Sequence, residues 1–299
     1  MILLKKLVLI TIILLGSFTN AYSTHYAGYD LSYACVGPNQ YKVTLNVLRD
    51  CNGFSVGSIQ VVNYSSVSCG VSASFTLNIQ SVTDITPLCA TQASACGSSG
   101  SIGVELHVFE GVVTLPAGCN DWVLSTTSCC RNNAITNISS SGSNSIYVQA
   151  TFDNTTTPCN SSPRFANSAQ LFGCAGQPIN YQQLAYDPDG DSLVYSLTSA
   201  LQGAGSPVTY ASGFSATNPF TDPLVLNQQT GQISFTPSGP QVSVVTILVE
   251  EYRNGVLIGS IMRDVQFFIT SCTNTIPDLS GINGVANDFE IDVCEGGTI

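Results

Sequence analysis

Asp187-Pro188-Asp189-Gly190-Asp191 puts three carboxylates into one loop kinked by Pro and Gly, directly before the stretch Ser192–Leu197, whose residues have strand character. Carboxylates held that close repel one another. A hard, oxygen-seeking cation such as Ca²⁺ relieves the repulsion and stiffens the loop. The spacing is not that of an EF-hand, because Gly190 falls at the fourth place rather than the sixth and Thr198 occupies the twelfth. The other use of such a loop is an Asx turn whose carboxylates accept backbone N–H groups. Glu250 and Glu251 are candidate further ligands, or else a solvated strand end. The candidate metal set is therefore Asp187, Asp189, Asp191, Glu250 and Glu251, with calcium as the possible cofactor.

Nucleophilic catalysis has one string to recommend it, Gly53-Phe54-Ser55-Val56-Gly57, which matches G-x-S-x-G. That string exposes a reactive serine only where a strand turns sharply into a helix. Residues 58–63 read as strand instead, and the chain has only two histidines, His25 and His107, to act as base. Neither belongs to an H-E-x-x-H string, and no glycine-rich phosphate loop occurs. His107 alternates with Leu106 and Val108 and reads as a strand residue. No catalytic residue is assigned, and the chain is read as a non-enzyme.

Twelve cysteines, Cys35, Cys51, Cys69, Cys89, Cys96, Cys119, Cys129, Cys130, Cys159, Cys174, Cys272 and Cys294, are an even number. On an exported chain they predict disulfides, and the absence of C-x₂-C pairs and the two histidines speak against zinc. Nine lie between Cys35 and Cys159, so the first half is the more heavily stapled. Two pairings have a physical basis. Cys89 and Cys96 bracket a short Gly/Ser/Ala-rich loop, and Cys174 and Cys272 sit on the first and last strands of one sandwich. Adjacent Cys129 and Cys130 point to opposite faces of an extended chain, so each is expected to find a different partner, and Cys51, Cys119 and Cys159 are further disulfide candidates.

Trp122 and the tyrosines Tyr26, Tyr29, Tyr33 and Tyr41 can stack on sugars or fill a core. Asn63, Asn137, Asn154 and Asn160 open N-x-S/T sequons, which imply surface loops. Arg49, Arg131 and Arg164 each lie beside a cysteine or a turn and read as clamps on carboxylates and carbonyls, with Asp50 a candidate partner.

The elements that must position these residues are strands. Residues 41–47 alternate apolar and polar at period two, and Gly37-Pro38-Asn39-Gln40 joins them to residues 31–36 as a hairpin. Residues 75–79, 103–109, 112–115, 122–125 and 145–152 continue the pattern between Ser/Gly/Asn/Thr clusters. A boundary is expected near Asn160-Ser161-Ser162-Pro163-Arg164. Beyond it, residues 224–226 and 232–235 flank a turn, and residues 242–252 and 256–270 flank Arg253-Asn254-Gly255, whose Asn-Gly suits a primed turn. No stretch of ten or more residues keeps helical periodicity with caps.

Of the 299 residues only 9% are charged while 44% are hydrophobic, and the net charge is −11. Disorder and binding to nucleic acid or anionic lipid are disfavoured. Lys5 and Lys6, an apolar run over residues 7–15 and small residues to Ala21 form a secretion signal too short to span a membrane comfortably, so no membrane insertion follows its cleavage. Cys294-Glu295-Gly296-Gly297-Thr298-Ile299 repeats the pattern Cys174-Ala175-Gly176-Gln177-Pro178-Ile179, as if a second copy of a sandwich began there. The expected organisation is all-β with tandem β-sandwiches: a signal peptide (1–21), a disulfide-rich β-sandwich (22–163), an immunoglobulin/cadherin-like β-sandwich (164–272), and a linker with the truncated first strand of a further repeat (273–299).

In this order, His25-Tyr26-Ala27-Gly28, Leu48-Arg49-Asp50-Cys51, Cys129-Cys130-Arg131-Asn132-Asn133, Pro158-Cys159-Asn160-Ser161-Ser162-Pro163, the loop and strand 187–197, and Val249-Glu250-Glu251-Tyr252-Arg253-Asn254-Gly255 resemble the N-terminal region of large secreted surface proteins of gliding Bacteroidota. The resemblance implies further PKD- or cadherin-like domains, type IX secretion, and a secreted, cell-surface, adhesin-like role in gliding-type bacteria. The acidic residue usual just before the last hairpin turn of cadherin-like repeats is Tyr252 here. The implied partner is a cell-surface or extracellular protein or glycan. The alternatives are an extracellular glycan-binding module and an extracellular hydrolase.

Overall fold

The computed structural model describes residues 26–88, 93–97, 100, 102–166, 169 and 172–272. The expected signal segment, Cys89, and the stretch 273–299 with Cys294 lie outside the described residues. In chain order the strands are β1 (Tyr26–Gly37), β2 (Gln40–Asp50), β3 (Ile59–Ser66), β4 (Val71–Asp84), β5 (Val104–Thr114), β6 (Trp122–Ser128) and β7 (Ile146–Phe152). Short strands follow: β8 (Arg164–Phe165), β9 (Phe172–Cys174), β10 (Ile179–Gln182), β11 (Ala185–Tyr186), β12 (Ser192–Leu197), β13 (Leu201–Gly203), β14 (Ser206–Pro207), β15 (Val225–Leu226) and β16 (Gln232–Phe235). The chain then makes its longest hairpin, β17 (Gln241–Arg253) and β18 (Val256–Thr270).

Period two explains the long strands. Along β2, Tyr41, Val43, Leu45 and Val47 are buried, while Lys42, Thr44 and Asn46 between them are half-buried. The β17–β18 turn has Asn254 at φ 54° and Gly255 at φ 78°, the two left-handed residues a primed hairpin turn requires. Residues 103–115, expected as two strands, form the single strand β5. Gly111 does not break it: a Cβ there would lie 2.7 Å from Thr76 O, so the glycine allows β4 to approach closely.

The fold is mostly antiparallel, with β9 running parallel to β18 as the exception. Thirteen strands share one sheet. Its central run is β1-β2-β5-β4-β3-β6-β7, and β18 closes that run into a ring: one edge of β18 pairs with β7 at Gly259, Ser260 and Ile261 and then with β1 at Asp264 and its neighbours. The other edge carries β17, and β17 carries β12. A smaller sheet, β10-β16-β15, forms a second layer. Its Phe235 and Tyr181 meet Phe267 of β18 edge to face, and Phe220 stacks on Phe235 at 4.2 Å.

The expected boundary at residues 163 and 164 therefore does not separate two sheets. Strands from both sides of it are hydrogen-bonded neighbours, and their side chains share one core. Two buried ion pairs reinforce the join. Arg263 lies across from Asp30 in the β1–β18 ladder and donates to its Oδ2 through Nε (3.1 Å) and Nη2 (2.9 Å), while resting over the Phe165 ring. Arg131 grips Asp264 with two bonds of 2.7 and 2.8 Å, and Thr246 donates to the same carboxylate.

All ten described cysteines are in disulfides. Cys174 bonds Cys272, the pairing read from their strands. Cys96 bonds Cys51 rather than Cys89, because the close of β2 and the turn at residues 95–97 meet at the same end of β5. Cys129 and Cys130 bond each other instead of separate partners, since the chain leaves β6 at Ser128 and is no longer extended there. The remaining pairs are Cys35–Cys159 and Cys69–Cys119.

Candidate functional site

The period-two alternation that buries Val245, Ile247 and Val249 also carries Glu251 onto the core side of β17, where its residue is fully buried. Glu250 falls on the other side, within 3.5 Å of the Tyr252 hydroxyl. The 187–191 loop opens just before β12, and β12 pairs with β17 so that Leu193 lies opposite Glu251. This register delivers the loop to Glu251. Carboxylate oxygens of Asp187, Asp191 and Glu251 all lie within 4.8 Å of one another.

The loop is internally ordered. Asp187 Oδ1 accepts the backbone N–H groups of Asp189 (2.8 Å) and Asp191 (3.0 Å), the turn chemistry expected of such a sequence. Its Oδ2 is buried and has no donor. Asp189 points elsewhere and accepts the N–H of Ser161 at 2.7 Å. Of the five expected ligands, the structure gathers Asp187, Asp191 and Glu251, and directs Asp189 and Glu250 to other partners.

Two residues that the sequence reading did not place at the site complete it. Asn160 donates to Glu251 Oε1 at 2.7 Å, and its own Oδ1 accepts Arg253 Nη2 at 2.6 Å. Arg253 Nε donates to Asp191 Oδ1 at 2.8 Å, and Nη2 reaches Asp191 Oδ2. Asn160 is fixed by its surroundings: neighbouring Cys159 is tied to Cys35 at the end of β1, and Ser162 N–H donates to Tyr33 O at 2.9 Å. Glu251 Oε2, like Asp187 Oδ2, is buried with no donor. It lies on the same side as the Tyr33 hydroxyl, since a Cβ on Gly259 would touch both, at 3.1 and 3.3 Å.

Burial raises the Glu251 carboxyl to about 8, and the nearby Asp191 and Asp187 carboxylates push the same way against the Asn160 amide. Burial also raises Asp187, opposed by the two backbone N–H bonds. Asp191 is lowered, first by its bonds to Arg253. Three carboxylates and one guanidinium leave an excess of negative charge around two donorless oxygens. A proton reduces it and a divalent cation neutralises it. The residues fit a hard cation held by oxygen alone.

A second group, Cys51, Cys96 and Glu105, also clusters closely enough to hold a metal ion. Its sulfurs are joined to each other in a disulfide, so they are not the thiolates that bind soft metals. Glu105 is engaged by Arg49 at 2.8 Å and by His107 Nε2 at 2.9 Å. Arg49 thus holds Glu105 and not Asp50, whose Oδ1 accepts the Asn52 N–H.

The other candidate chemistry disperses. Ser55 lies on an exposed irregular segment that leads into β3, with no helix following. Trp122, Tyr29, Tyr33 and Tyr41 are buried and fill the core, and the half-buried Tyr26 packs edge to face on Tyr29. Three of the four sequons are interior amides rather than surface loops. Asn137 spans Pro219 O, Val244 O and Val244 N–H, Asn154 accepts from Cys119 N–H and Trp122 Nε1, and Asn160 serves the acidic site; Asn63 on β3 is exposed. Among the described residues, no helix is long and apolar enough to cross a membrane. Compared with protein-family models, with curated proteins and with solved structures, the chain finds no match in any of the three, so its chemistry rests on the geometry above.

Proposed function

We propose that the protein is a non-catalytic, structural segment of a secreted cell-surface protein, adhesin-like in use, whose second half is rigidified by calcium. The observation that carries this reading is the bonding of every described cysteine in a disulfide, on strands whose pairings run through both halves of the chain. Disulfides persist in oxidising surroundings, in keeping with a signal sequence at residues 1–21. Cross-links and ladder bonds together favour a body that transmits load without opening.

Calcium suits the site because its donors are oxygens only, its carboxylates come from a turn and a strand, and waters can complete a coordination of six to eight. The two-layer arrangement of β10-β16-β15 over β17 and β18 supports an immunoglobulin/cadherin-like reading of residues 164–272. The motifs shared with Bacteroidota surface proteins support export by type IX secretion and a partner that is an extracellular or cell-surface protein. A sugar partner read by Trp122 is disfavoured by the burial of that ring.

Thiol titration of the exported, denatured but unreduced protein tests the reading. At most the two cysteines outside the described residues are expected to react. A folded protein that holds most of its thiols free would overturn it.

A further inference from the structure

We propose that Arg253 is a resident cation which a divalent ion must displace from Asp191, so that Arg253 sets the ion concentration at which the site fills. This inference rests on the cation reading of Asp187, Asp191 and Glu251 and names how that site is regulated.

Two carboxylate oxygens of these residues, Glu251 Oε2 and Asp187 Oδ2, are buried and accept nothing. Glu251 is fully buried, so its empty oxygen, on the same side as the Tyr33 hydroxyl, is closed off from solvent. Asp187, Asp191 and Glu251 each bring one oxygen within 4.8 Å of the others, so an ion held by all three takes an oxygen of Asp191. Both oxygens of Asp191 are occupied by Arg253, through Nε and Nη2, in a forked pair of the kind that binds carboxylates most firmly. An ion at the centre and a guanidinium on the same carboxylate are like charges a few ångströms apart, and they repel.

Arg253 has the means to leave. It is the last residue of β17, next to the Asn254-Gly255 turn, and its side chain is 35% exposed where that of Asp191 is 5% exposed. The β17–β18 register shifts between Glu251 and Tyr252, two residues short of it. Its other partner among the described residues of the site is Asn160 Oδ1, an uncharged acceptor. With no ion bound, the guanidinium neutralises part of the acidic cluster. With an ion bound, it swings toward solvent and frees an oxygen of Asp191.

Calorimetric titration of the chain with CaCl₂ tests this, using the wild type, Arg253→Met and Glu251→Gln. Arg253→Met is expected to bind calcium at least about tenfold more tightly than the wild type, because no internal cation has to be displaced. Glu251→Gln is expected to bind more weakly than the wild type. If the wild type binds but Arg253→Met binds equally or less tightly, the displacement proposal fails while the cation site stands. If neither binds and calcium leaves both melting curves unchanged, the cation reading fails as well. Should Arg253→Met not fold, the Arg253 Nε–H resonance of the wild type decides: it is expected to shift and lose its hydrogen-bonded position as calcium is added, and an unmoved signal at saturating calcium would overturn the proposal.

Discussion

Asn160 donates its side-chain amide to Glu251 Oε1 at 2.7 Å, joining the end of the first half of the chain to the last hairpin of the second. The bond is set from both sides. Cys159 is anchored to β1 through Cys35, and Glu251 is in phase with the buried residues of β17. A site that draws on both halves reports on their union, and its occupancy bears on the stability of the whole sheet.

Calcium is accordingly expected to raise the melting temperature. At an ion concentration about a hundred times the dissociation constant the gain is about 2.7 kcal/mol, which for a domain of this size is a shift of roughly 5–10 °C. Differential scanning calorimetry with calcium and with a chelator measures it, and Glu251→Gln should lose the difference. Identical midpoints in the two buffers would remove calcium from the account.

The raised carboxyl of Glu251 fixes the sign of a pH dependence in chelator. Its folded pKa of about 8 lies above the unfolded value, so the folded state holds the proton over the interval in which the unfolded state has lost it. The stability that Glu251 contributes is therefore fully present below its unfolded pKa and is lost as the pH rises toward 8, by at most about 1.4 kcal/mol per pH unit. Asp187, also raised by burial, acts in the same direction. Urea unfolding at a series of pH values should show the decline in the wild type and a much flatter profile in Glu251→Gln.

Asp264→Ala removes the carboxylate that neutralises the Arg131 guanidinium in the interior, where both partners are 1% exposed. The expected loss is about 3–5 kcal/mol. Replacing both residues with apolar ones of similar volume should cost far less than the single change. Denaturant midpoints of the two variants compare them, and a single variant as stable as the wild type would show that the pair is not buried as described.

Trp122 is the only tryptophan and is fully buried, with its Nε1 donating to Asn154 Oδ1 at 3.1 Å. Its fluorescence is expected to be blue-shifted and poorly quenched by acrylamide, and unaltered by soluble glycans. A red-shifted, readily quenched emission that changed on adding an oligosaccharide would restore the stacking-platform reading.

Much of the acidic site was legible in the order of residues. The clustered carboxylates of the 187–191 loop announce themselves, and the alternation Val245, Ile247, Val249 already places Glu251 on the buried side and Glu250 on the opposite one, a signal that treating the two glutamates as a pair overlooks. Asn160 and Arg253 carried no comparable mark. Asn160 resembled a glycosylation sequon and Arg253 a turn residue, because a polar side chain's role depends on what faces it across space. The cysteines divide in the same way: Cys174 and Cys272 follow from their places on neighbouring strands, whereas Cys51 with Cys96 and Cys129 with Cys130 do not.

By itself the order of residues determined strands, hairpin turns and the all-β class, since side-chain periodicity and left-handed turn residues act within a few positions of the chain. Only the tertiary structure decided that β18 would close one ring from both halves, that tryptophan and tyrosines would fill that ring, and which carboxylates would meet. Strand partners far apart in sequence are selected by the total burial and pairing of the assembled sheet, a quantity that no local window contains.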